Sequence, residues 1–189
     1  MSFVHKSIRS SNVLIAYSAP FSSGPTANLT SSPDQSSVLQ SAEGPQIGTP
    51  YLVGFSYARR GTARSTGSSR ADWRNEIYRH PERQAAELGI DPEVYYKPYH
   101  DIYSLGVVLL ELGLWERLDT TYEAQLKRAT ANQRRDRLVD LTSGHLPSKV
   151  GSTFSRIVKG CLEVDVDTAG GEDQMTVQKV LEGFEEIRF

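Results

Sequence analysis

Few residues of this chain stand in patterns that could do chemistry. Its four histidines, His5, His80, His100 and His145, form no H-x-x-x-H pair, and the lone Cys161 can form no C-x-x-C. The spacing therefore suggests no metal site. No G-x-S-x-G elbow is present, which removes one common setting for a serine nucleophile. Cys161 lies in the apolar stretch Ile157-Val158-Lys159-Gly160-Cys161-Leu162 with no base beside it, so it reads as a small buried apolar residue. What remains is the segment Val4 to Ile15, where His5, Ser7, Arg9 and Asn12 lead into the apolar run Val13-Leu14-Ile15. A serine hydroxyl holds its proton at neutral pH, so Ser7 is no general base. Asn12 could face a magnesium ion through its amide oxygen.

Val4 to Ile15 resembles the catalytic loop of protein kinases, H-R-D-L-x-x-x-N followed by a short apolar strand. His5, Ile8, Asn12 and the run Val13 to Ile15 fall in register. Arg9 stands where a Lys is common, and Ser7 occupies the position of the Asp that takes the substrate proton. Tyr51-Leu52-Val53-Gly54-Phe55-Ser56 resembles the strand and D-F-G segment that holds magnesium, with Phe55 kept and Gly54 replacing the metal-binding Asp. His80-Pro81-Glu82 resembles the A-P-E that closes the activation segment. His100 to Leu112 resembles the long central helix of the family, with D-x-x-S-x-G-x-x-L-x-E intact from Asp101 to Glu111. Tyr51 to Phe55 together with Tyr78-Arg79-His80-Pro81-Glu82 resembles the divergent kinase-like domains that accompany signalling and incompatibility proteins of filamentous fungi.

The resemblance implies a mainly α (α+β) fold: the C-terminal lobe of a kinase-like fold around a buried central helix, with a short β-hairpin and no N-terminal lobe. One domain spans 1–189. The glycine-rich loop, strand Lys and helix Glu of a complete kinase lie upstream of the catalytic loop, so a chain starting at Met1 is expected to be a fragment of something longer. The degenerate catalytic-loop positions His5, Ser7, Arg9 and Asn12 and metal-loop positions Gly54 and Phe55 imply no catalytic, cofactor-binding or metal-binding residue. His5 is expected to support the turn by packing. Asn12 is a poor ligand without a carboxylate at position 54. Asp101 and Glu82 are expected to be structural, Asp101 gripping main-chain groups near His5 and Lys6. The Arg that usually clamps the A-P-E Glu is missing between Asp165 and Asp173, leaving Arg83 or Arg79 as substitutes for Glu82. The implied function is a non-catalytic regulatory or interaction module without cofactor, its partners other proteins. An active phosphotransferase using ATP and Mg would need another acid for the base and a separately supplied nucleotide-binding lobe. Losing a general base alone lowers rates by roughly 10²–10⁴-fold.

The elements that position these residues are legible in hydropathy. From Ile102 to Leu114 nearly every residue is apolar without strand-like alternation, which predicts a helix buried on all sides, capped by Asp101. It is too short for a bilayer, which needs about 20 residues. Shorter helices are predicted at Tyr122 to Ala129, Arg135 to Leu141, Ser152 to Leu162 and Thr176 to Ile187, with Gly144 and Pro147 separating the pairs. The last should present Val177, Val180, Leu181 and Phe184 on one apolar face. Strand Val13 to Tyr17 should neighbour strand Tyr51 to Phe55. Between them, residues 20–49 are rich in Ser, Pro, Gly and Thr, the composition of a flexible insertion. A second flexible, basic loop is predicted over 59–75, where Arg59, Arg60, Arg64 and Arg70 interleave with Thr62, Ser65, Thr66, Ser68 and Ser69. It could meet an acidic partner or be phosphorylated. A net charge of −2 suggests neither nucleic-acid nor membrane preference, and neither a signal peptide nor a transmembrane run is present. A single Cys fits a cytoplasmic location.

Overall fold

The computed structural model describes residues 3–16, 48–60, 72–85, 96–164 and 177–187. In chain order they form β1 (Phe3–Val4), a 3-10 turn (Ser10–Asn12), β2 (Val13–Ala16), β3 (Thr49–Leu52), a second 3-10 turn (Phe55–Tyr57) and β4 (Arg59–Arg60). Helices follow: α1 (Trp73–Glu76), α2 (Pro81–Ala85), α3 (Pro98–Leu114), α4 (Leu118–Thr121), α5 (Glu123–Leu126), α6 (Ala131–Gly144), α7 (Leu146–Leu162) and α8 (Val177–Glu185). The described residues are thus mainly helical.

The predicted hairpin is present: β2 and β3 pair antiparallel, with Val13 opposite Leu52 and Ala16 opposite Thr49. A second two-stranded ladder joins β1 to β4, Val4 opposite Arg59. Arg59 and Arg60 are therefore strand rather than the start of a loop, and Trp73 to Asn75, also placed in that loop, are helical. Arg64, Arg70 and the Ser and Thr residues between them lie outside the described residues. So does the predicted insertion, except that Gly48 is described and Thr49 opens β3.

The apolar run of the sequence forms α3, which starts earlier than Asp101. Pro98 occupies its first turn, where a fixed φ helps and a missing N–H is harmless. Asp101 sits inside that turn and is not the cap. Tyr103, Val107, Leu110 and Leu114 of α3 pack in one core with Ile157, Val158, Cys161 and Leu162 of α7, Leu138 of α6 and Val180 of α8. At Gly106 a Cβ would come within 2.7 Å of Cys161 Cβ, so α3 and α7 touch where only glycine fits. The Cys161 thiol is buried, and burial pushes its pKa up to about 12, as suits an inert core residue. The helix is not buried all round: Leu112 is 56% exposed, and Leu105, Val108 and Leu109 are only half-buried. Leu105 and Leu109 still pack against the core, and Leu112 faces outward.

Later elements differ in their ends. Helix α6 begins before Arg135 because Thr130 and Gln133 form a reciprocal cap, the Thr130 hydroxyl accepting from Gln133 N–H and the Gln133 side chain accepting from Thr130 N–H. Helix α7 begins at Leu146, before Ser152, and breaks its helical geometry at Gly151 (φ 83°). In α8, Val180 is buried and Phe184 packs on the core, but Leu181 is exposed, so the predicted face is narrower. Among the described residues no helix is long and apolar enough to cross a membrane.

Helix α3 ends at Trp115 with φ 58°, a left-handed conformation that suits glycine. Trp115 is 84% exposed, so its side chain returns little packing for that strain. Replacing Trp115 by Gly is expected to stabilise the fold by about 1 kcal/mol, after allowing for the added chain entropy of the unfolded state. Thermal unfolding should show a midpoint about 2–4 °C higher, and a lower midpoint would contradict this.

Candidate functional site

The turn after β1 is anchored to the first turn of α3 by one carboxylate. Asp101 Oδ2 accepts from His5 N–H at 2.6 Å, and Oδ1 accepts from Lys6 N–H at 3.0 Å. The Tyr96 hydroxyl donates to the same Oδ1 at 2.7 Å. Burial first, and then the Asp101 charge, push the Tyr96 phenol well above its ordinary pKa, so it stays a donor. Lys6 has φ 66°, an uncommon value for a side-chain-bearing residue, held by the bonds on either side of it. These are the main-chain groups expected for Asp101.

His5 is buried, and its ring meets Phe55 edge-on at 4.5 Å between centroids. Its Nδ1 accepts from Ser7 N–H at 3.3 Å, which supports the turn, while Nε2 is buried without a protein hydrogen bond. Asn12 closes the turn: Nδ2 donates to the Ser7 carbonyl at 2.7 Å and to Ser7 Oγ at 3.0 Å. The Asn12 carbonyl receives Val53 N–H at 2.8 Å, which brings Gly54 alongside. Gly54 has φ 91°, and a Cβ there would lie 2.7 Å from Asn12 Nδ2. Ser7, Asn12 and Gly54 thus meet in one place together with His5 and Phe55. Neither Ser7 nor Gly54 brings an acid to it.

Arg9 points elsewhere, donating to Asn75 Oδ1 at 2.7 Å. The next residue, Ser10, enters a network that the sequence did not announce. Its hydroxyl donates to Glu111 Oε2 at 2.5 Å and lies 2.8 Å from the Tyr78 hydroxyl, which donates to the same oxygen at 2.7 Å. Glu111 Oε1 accepts from Leu118 N–H at 3.0 Å. The Tyr78 phenol is pushed upward, mainly by burial and further by the Glu111 charge, against an opposing bond from Ser10. One buried carboxylate therefore ties the turn, the residues after α1 and the start of α4 to α3. A Glu within an apolar helix is the available signal, because a buried carboxylate must find donors.

Glu82 is held by a different set than the sequence suggested. Tyr99 donates its hydroxyl to Glu82 Oε2, and His100 Nε2 lies 3.1 Å from the same oxygen. Arg79 pairs with Glu76 at 2.8 Å, and the Arg83 guanidinium lies over the Tyr96 ring. Partial burial pushes the Glu82 carboxyl up, but the bonds from Tyr99 and His100 outweigh it and hold the group below its ordinary pKa. His100 Nδ1 accepts from Lys97 N–H at 3.1 Å, which places the ring proton on Nε2, toward Glu82. His80 joins through Nε2, 3.0 Å from the Val164 carbonyl, and its Nδ1 lies 3.9 Å from Glu82 Oε2. The three residues are spread over 21 positions of sequence, which is why local spacing missed them.

Chemically, the first cluster offers donors, a hydroxyl and the buried His5 imidazole but no carboxylate, and the second offers two imidazoles and a carboxylate. Comparison of the chain with protein-family models, with curated proteins and with solved structures finds no match.

Proposed function

We propose that the chain is a kinase-like domain without the catalytic and metal-binding Asp, acting as a non-catalytic regulatory or interaction module for other proteins. One observation carries this reading. The turn from His5 to Asn12 is anchored by Asp101 and set against Gly54 and Phe55, yet a hydroxyl and a bare backbone stand at the two positions where that chemistry needs carboxylates. A serine neither accepts a substrate proton at neutral pH nor neutralises a phosphate-bound cation. Asn12 directs its NH2 to Ser7, and its oxygen has no acidic neighbour at position 54 with which to share a magnesium ion.

Two measurements test the reading. Calorimetric titration with ATP and magnesium should show no binding, and micromolar affinity abolished by a chelator would overturn it. No phosphate should be transferred to the protein itself or to a generic basic protein. In the longest natural form of the protein, restoring Ser7→Asp with Gly54→Asp is the only pair of changes expected to create such transfer, and Asn12 must swing aside to admit the new Cβ at position 54. Robust activity of the unmodified protein, lost on Ser7→Ala, would show Ser7 to be catalytic and the reading wrong.

A further inference from the structure

The second cluster has the donor set of a transition-metal site. We propose that His80, Glu82 and His100 bind one divalent cation of the zinc class, through His80 Nδ1, Glu82 Oε2 and His100 Nε2. These three atoms lie within 4.8 Å of one another, and two of the separations are 3.1 and 3.9 Å. A tetrahedral ion with bonds of about 2.0–2.1 Å sets its ligands roughly 3.4 Å apart, so to accept one the 3.1 Å pair must open slightly and the wider pairs, at 3.9 Å and at most 4.8 Å, must close. Both imidazoles are 1% exposed, and each sits at the start of a helix, His80 before α2 and His100 in the first turn of α3. Their rings are therefore placed by backbone.

The surroundings match what such a site requires. His80 donates Nε2–H to the Val164 carbonyl, the outer bond that fixes a ligating imidazole with its lone pair on the other nitrogen. The Tyr99 hydroxyl donates to Glu82, orienting the carboxylate. Two imidazoles and one carboxylate suit Zn²⁺, Co²⁺ or Ni²⁺ better than Mg²⁺ or Ca²⁺, which favour oxygen-only shells. Two rearrangements are needed. At His80, Nδ1 must release the Glu82 N–H that it accepts at 3.4 Å. The His100 proton moves from Nε2 to Nδ1, and the Lys97 N–H that Nδ1 now accepts must turn away. Lys97 precedes the first residue of α3, where backbone N–H groups have no partner within the helix.

The experiment uses the full chain stripped with a chelator and then titrated with Zn²⁺ at neutral pH. One ion per chain at micromolar affinity or tighter is expected, with Co²⁺ giving a visible absorption band that Zn²⁺ displaces. Glu82→Gln and His100→Gln should each weaken binding by roughly tenfold or more, whereas changing the exposed His145→Gln should not. Absence of saturable binding, or equal weakening by His145→Gln, would overturn the site. Should the cluster variants fail to fold, ¹⁵N-labelled wild type decides: Zn²⁺ must shift the ring nitrogens of His80 and His100, and shifts confined to His5 or His145 would refute the assignment.

Discussion

Replacing Asp101 by Ala is expected to lower the stability of the fold by about 3 kcal/mol, and to release the segment before β2 from the helical body. Asp101 accepts from two main-chain N–H groups and one phenol, and its removal strands His5 and Lys6 N–H beside a partly buried helix start. Hydrogen bonds to a charged group contribute about 1.5–3 kcal/mol each. Water entering the partly buried gap re-solvates the stranded donors and offsets much of that sum, which brings the figure down to about 3 kcal/mol. Asp101→Asn should recover little, because its NH2 must face one of the same donors. Lys6 offsets part of the loss, since its left-handed backbone can relax once those bonds are gone. Chemical denaturation would read the stability, and hydrogen exchange would report the His5 and Lys6 amides losing protection. A loss below about 1 kcal/mol, ordinary for an undistinguished substitution, would mean that something other than Asp101 holds the turn.

That anchor was legible because a motif named both ends of it, His5 at one and Asp101 at the other. The helix from Ile102 to Leu114 was legible from hydropathy alone, though its first turn from Pro98 was not, and its overestimated burial has a plain cause. A run with almost no polar residue cannot show which side faces solvent, and Leu112 reads like Leu110 until α7 is in place. Gly113 looks like the natural stop signal, yet it serves the close approach of α7, where a Cβ would meet Leu146 and Phe154 at 2.7 and 2.9 Å. The left-handed cap passed to Trp115 instead. The cap at Thr130 and Gln133 is a local pattern, and it could have set the start of α6 correctly. The networks of Glu111 and Glu82 are of another kind. Ser10, Tyr78 and Glu111 follow no period, and neither do His80, Glu82 and His100. Only the packing of helix starts against one another brings them together. An acidic residue inside an apolar stretch says that donors must be found, but not where they are.

Acid is expected to destabilise this protein through the cluster at the start of α3, by on the order of 3 kcal/mol between pH 6.5 and 4. Burial pushes the His100 pKa from its ordinary 6.5 down to about 4, and the neighbouring His80 adds to the effect while Glu82 opposes it. Across that window the unfolded chain takes up a proton at His100 that the folded chain refuses. Stability is therefore full above pH 6.5, declines as pH falls, and is level again, for this group, below about pH 4. Each pH unit of the gap is worth 1.36 kcal/mol, which gives the figure. Glu82 acts in the same sense at the lower end: its carboxyl is held below the ordinary value in the fold, so its contribution is also lost as pH falls through that lowered pKa. Urea denaturation followed from pH 7 to about 3, with a chelator present so that no metal contributes, would give the profile. His100→Gln keeps a donor toward Glu82 but cannot titrate, and it should flatten the profile above about pH 5 while leaving the Glu82 limb below. A wild-type profile already flat between pH 6.5 and 5, or a His100→Gln profile as steep as wild type, would show that this imidazole does not set the acid response.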